Sequence, residues 1–85
     1  MKHVTSTGLD ELDGLLRDLR GVDGLAERSR GVFYRGSRAF LHFHEDPTGL
    51  YADVRLDGVE FERMRVTTKA ERKKLLSRVR AAARR

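Results

Sequence analysis

Leucine recurs at positions 9, 12, 15, 16 and 19, while Asp10, Glu11, Asp13, Arg17, Asp18 and Arg20 fill the positions between. Apolar spacings of three and four put these leucines on one stripe and predict an amphipathic helix from about Gly8 to Arg20. Thr7 is placed to cap it, with acids early and arginines late, the polarity that the helix dipole favours. Gly21 suits the stop. Gly14 inside the run costs about 1 kcal/mol relative to alanine.

The period then changes from helical to alternating. Val32–Arg35, Ala39–His44 and Leu50–Leu56 are rich in aromatic and β-branched residues and are separated by Gly36-Ser37 and Asp46-Pro47-Thr48-Gly49, with Asp57-Gly58 closing the last. These read as three strands of an antiparallel meander. In the third, Leu50, Ala52, Val54 and Leu56 alternate with Tyr51, Asp53 and Arg55; in the second, Ala39, Leu41 and Phe43 alternate with Arg38, Phe40, His42 and His44. A four-residue turn sets His44 across from Tyr51 and His42 across from Asp53, and that register brings both apolar rows to one face. Val59–Val66 fits either a helical turn or a fourth strand, and a strand over its second half is preferred. Thr68-Lys69-Ala70-Glu71 is a capping-box signature, and Leu75, Leu76, Val79 and Ala82 or Ala83 give the last helix its stripe.

The predicted fold is α+β: a two-layer α/β sandwich in the order α-β-β-β-(β)-α. An antiparallel sheet of three to four strands carries the N- and C-terminal helices on one face. One domain spans 1–85, with residues 1–7 expected to be flexible and 69–85 forming a basic helix. The other sheet face is predicted to display Arg38, Phe40, His42, His44, Tyr51, Asp53 and Arg55.

Composition adds boundaries to this picture. With 85 residues the chain can bury only about 60–65% of its unfolded surface, a single thin core. Cysteine is absent, which excludes disulfides and thiolate chemistry. No apolar run has the length of a membrane span and no hydrophobic leader follows Met1, so a cytoplasmic protein without a membrane partner is expected. The formal net charge of +5 divides unevenly. Lys69 to Arg85 holds eight basic residues and one acid, while the preceding 68 residues hold ten basic and twelve acidic ones.

These features point to three kinds of chemistry. An amphipathic open face bearing Phe40, Tyr51, His42, His44, Asp53 and Arg55 is the kind that small domains cover with a second copy, so a homodimer or protein-association module is the first expectation. The alternative is nucleic-acid binding by the last helix, with Lys69, Arg72, Lys73, Arg80 and Arg84 contacting phosphates. That helix has no Asn or Gln for base readout. Third, two histidines at i and i+2 of a strand point the same way, and an opposed Asp is a third donor, making His42, His44 and Asp53 the weak metal candidates. Catalysis has no support: Ser6, Ser29, Ser37 and Ser77 lack a nucleophile-elbow context, and no Gly-rich phosphate loop precedes a helix. A non-enzymatic protein without a cofactor is expected.

The run Tyr34-Arg35-Gly36-Ser37-Arg38-Ala39-Phe40-Leu41-His42-Phe43-His44-Glu45-Asp46, followed by Gly49-Leu50-Tyr51-Ala52-Asp53-Val54-Arg55-Leu56, resembles the small bacterial MmcQ/YjbR-type domains. There a Gly-basic-x-x-Phe strand, an Asp/Gly turn and an apolar-alternating strand recur. The resemblance covers about 31–66 and implies a two-layer α/β fold of the secretion-chaperone type in a bacterial protein with presumptive DNA binding. It implies no residue-level site.

Overall fold

The leucine stripe of the first segment forms two short helices rather than one. In the computed structural model, which describes residues 1–84, α1 spans Ser6–Glu11 and α2 spans Asp13–Arg20. The break falls at Leu12, whose backbone leaves the helical region at φ −89° and ψ 6°. One residue is too short an interruption to change the buried side, so Leu9, Leu12, Leu15, Leu16 and Leu19 all remain in the core. Thr5, not Thr7, is the cap: its hydroxyl accepts from the Gly8 N–H at 3.2 Å, while its own N–H donates to the Glu45 carboxylate. The helix start is thereby tied to the sheet, which residue spacing does not reveal.

The sheet is antiparallel and has six strands, more than the three to four that alternation predicts. A two-residue strand β1 (Lys2–His3) precedes the helices, so the first seven residues, expected to be flexible, carry a strand, a cap and the first helical turn. After α2 come β2 (Leu25–Ser29), β3 (Val32–Arg35), β4 (Arg38–Asp46), β5 (Gly49–Val54) and β6 (Glu62–Arg65), then α3 (Lys69–Ala83). The order across the sheet is β2-β3-β4-β5-β6, with β1 on the β3 side of β4 beyond the end of β3. Both β1 and β2 escape an alternation search. β1 is too short to show a period, and β2 is an edge strand whose Ala26, Arg28 and Ser29 are exposed.

The register between β4 and β5 is the expected one, with His42 opposite Asp53 and His44 opposite Tyr51. Phe33, Leu41, Phe43, Leu50, Ala52 and Val54 of the sheet join the helix leucines and Leu75, Leu76, Val79 and Ala82 of α3 in one core. The capping box at α3 is complete: the Thr68 hydroxyl accepts from the Glu71 N–H, and the Glu71 carboxylate accepts from the Thr68 N–H. Among the described residues no helix is long and apolar enough to cross a membrane.

Phe40 departs from the expected pattern. The β3–β4 pairing shifts register between Phe33, opposite Leu41, and Tyr34, opposite Ala39, so Phe40 is the extra residue of a bulge. A bulge interrupts the alternation of sides. Phe40 and Leu41 are consecutive and both buried, at 3% and 1% exposure, and Phe40 belongs to the core and not to the open face.

Candidate functional site

The face opposite the core is organised around Asp53. Asp53 stands on β5, and the β4 and β6 residues opposite it, His42 and Arg63, lie on the same side because directly paired residues share a face. Arg63 forms a two-pronged contact, with Nε donating to Oδ1 at 2.8 Å and Nη2 donating to Oδ2 at 2.9 Å. From the other side His44 Nε2 lies 3.1 Å and His42 Nε2 3.6 Å from Asp53 Oδ2. The Arg63 guanidinium holds the Asp53 carboxyl below its ordinary range, against a smaller opposing effect of burial. The His42 imidazole is also held below its ordinary value, which here favours the neutral form: desolvation comes first and the neighbouring His44 second, while Asp53 opposes them. At neutral pH the cluster is therefore an anionic carboxylate, a guanidinium and a His42 held neutral.

Two aromatic residues frame this centre. His42 meets the Phe61 ring edge-on at 5.1 Å and the His44 ring at 4.9 Å. The Arg55 guanidinium covers the other contact of Phe61, 4.3 Å from its centroid. Strand β1 brings His3 opposite His44, with the rings stacked at 5.3 Å. Residue spacing does not bring His3 to the site, because only the pairing of a two-residue strand puts it there. Phe61 and Arg63 are visible in the sequence only as parts of an ambiguous segment. His44 turns Nε2 toward Asp53 and leaves Nδ1 buried without a hydrogen-bond partner.

Beside this cluster the sheet has a slot. β3 pairs with β4 as far as Leu41 and β1 resumes at His44, so the flank of β4 at His42 and Phe43 is uncovered. A cavity of about 400 Å³ occupies the gap, walled by Val4, Leu9, Val32 and Phe43 and edged by His3 and His42. Tyr51 lies apart from the centre. Its hydroxyl is 2.6 Å from the Thr48 Oγ1, and Arg65 donates to the Thr48 carbonyl at 3.1 Å. Arg38, expected on this face, spends its guanidinium on the Gly58 carbonyl at 2.8 Å.

The basic residues of α3 divide into two groups. Arg72 is half-buried, and its Nε and Nη2 donate to the carbonyls of Val66 and Thr67 at 2.8 and 3.0 Å. It fastens the helix to the end of the sheet, so two of its donors are committed within the fold. Lys69, Lys73, Arg80 and Arg84 are exposed. At 100° per residue they fall within an arc of about 60° and span about 22 Å of helix. Lys73, Arg80 and Arg84 edge a groove of about 450 Å³ whose far wall includes Asp18 of α2. Arg85, the last of the basic run, lies outside the described residues.

No protein-family model, no curated protein and no solved structure matches the chain. The functional reading rests on the geometry of this molecule alone.

Proposed function

We propose that this protein binds a nucleic-acid backbone through the exposed stripe of α3, Lys69, Lys73, Arg80 and Arg84. One observation carries the reading, the way charge is paired across the molecule. Arg17, Arg20, Arg30, Arg63, Arg65 and Arg78 each form an ion pair with an acid. Arg28 and Arg55 lie over the rings of Tyr34 and Phe61. Among the described residues the four stripe cations form no ion pair and no hydrogen bond, so their charge is directed outward. A row of unpaired cations on a straight helix releases counterions from a phosphate backbone without reading bases. An anionic lipid surface fits less well, because the exposed side of α3 offers no large apolar residue to enter the acyl region.

Fluorescence anisotropy with a labelled random-sequence duplex at several salt concentrations is the test. Four phosphate contacts give a slope of log affinity against log salt of about −3 to −4, or about a hundredfold loss between 50 and 200 mM salt. Lys73→Gln combined with Arg80→Gln should flatten the slope by about 2. Absence of binding at low salt, an unchanged slope in the double variant, or equal retention on anionic vesicles overturns the reading.

A second reading, association of a second copy on the open sheet face, is favoured by Phe61, which is 39% exposed. It ranks second because Phe40, expected on that face, lies in the core. A monomer by sedimentation equilibrium, or a dimer that survives Phe61→Ser, overturns it.

A further inference from the structure

The cluster on the open face supports a second activity, independent of the basic helix. We propose that His42, His44 and Asp53 form a three-donor site for a divalent transition-metal ion of the zinc or iron(II) class, at the mouth of the slot that His3 and His42 edge. Two imidazole nitrogens and one carboxylate oxygen are the donor set these ions take when part of the coordination shell is left open for water or a substrate. Donors about 2.05 Å from an ion at a tetrahedral angle stand about 3.3 Å from each other. The separations from Asp53 Oδ2 are 3.1 Å to His44 Nε2 and 3.6 Å to His42 Nε2, so two edges of the coordination polyhedron match already. All three donor atoms lie within 4.8 Å of one another. The His42 ring makes no hydrogen bond that would hold it against adjustment onto an ion.

The surroundings fit the role. Arg63 donates to both oxygens of Asp53, but each carboxylate oxygen carries a second lone pair, so Arg63 orients the carboxylate as an outer-sphere partner. His44 turns Nε2 to within 3.1 Å of Asp53 Oδ2, while its buried Nδ1 has no hydrogen-bond partner. The three residues sit on two paired central strands, which fixes their backbone spacing without loops. Of the three donors, His42 also lines the adjoining slot.

Calorimetric titration of the full chain with Zn²⁺ alone should show one ion per chain, and Co²⁺ should give the intense visible bands of a low-coordinate nitrogen–oxygen site. His42→Gln and Asp53→Asn should each weaken Zn²⁺ binding by at least about tenfold. If Asp53→Asn fails to fold by circular dichroism, His42→Gln carries the test, since His42 is only half-buried and hydrogen-bonded to nothing. No heat with Zn²⁺, or binding unchanged in His42→Gln, overturns the assignment. None of these readouts depends on nucleic-acid binding.

Discussion

Gly49→Ala tests whether the sheet and α3 are joined where the structure places the join. Gly49 opens β5 with φ +137°, a conformation that side chains rarely adopt, and a Cβ built there would lie 2.2 Å from the Thr67 hydroxyl oxygen. That oxygen cannot simply give way. It accepts from the Leu50 N–H at 2.8 Å and donates to the Leu50 carbonyl at 3.2 Å. Backbone strain of about 1–3 kcal/mol combines with the loss of two partly buried hydrogen bonds at about 1 kcal/mol each. The expected cost is about 3–5 kcal/mol, a large fraction of the stability of a domain this small. Gly36→Ala is the matched control: its φ is also positive, +63°, but nothing lies within 4 Å of the added Cβ. Only the left-handed backbone penalty of about 1–2 kcal/mol remains there. Urea denaturation of both variants gives the comparison. Thr67→Ala in the Gly49→Ala background should recover part of the loss, because it removes the atom in the way. Equal costs at the two glycines, or no coupling between positions 49 and 67, would refute the reasoning.

Three further outcomes are expected. Phe40→Ala should cost about 3–5 kcal/mol by denaturation, as for a buried aromatic, whereas Phe61→Ala should cost under about 1 kcal/mol; similar values would contradict the bulge that turns Phe40 inward. Arg72→Gln should lower stability by about 1–3 kcal/mol with little effect on the salt slope, and Lys73→Gln should do the opposite, as thermal melts and anisotropy together would show. Glu27 is held below the ordinary glutamate value of 4.5, first by the hydrogen bond from Arg20 and then by the Gly31 N–H, with burial opposing. A carboxyl lowered in the folded state stabilises above its unfolded value and loses that contribution as pH falls through the folded one. The stability gap between the native chain and Glu27→Gln should therefore be present at pH 6–7 and vanish under acid. Its size is at most about 1 kcal/mol because Arg20 is partly solvent-screened. A gap that widened in acid would reverse the sign.

Elements with enough residues to show a period are legible in the sequence. The leucine stripe, the β4–β5 register, the strand in the second half of 59–66 and the capping box of α3 each follow from local side-chain chemistry acting over several turns or pleats. So does the pairing of His42 and Asp53, because a short turn between two alternating strands leaves one register that buries both apolar rows. Elements held by partners distant in sequence are not legible there. β2 shows no alternation of its own because its hydrogen bonds come from β3 and its Glu27 is answered by Arg20. β1 exists because β4 offers an uncovered flank.

The candidate site divides along the same line. Periods of two and 3.6 residues put two histidines and an aspartate on one face and mark the buried side of each helix, and the residues of 69–85 place the charge excess. That Phe40 leaves that face, that Arg63 and His3 join it, and that Arg72 is spent on the carbonyls of Val66 and Thr67 emerges from the folded arrangement of strands and helix. A bulge, an ion pair across strands and a guanidinium bridging a helix and a strand end are set by where the backbones meet. Sequence period carries no information on that.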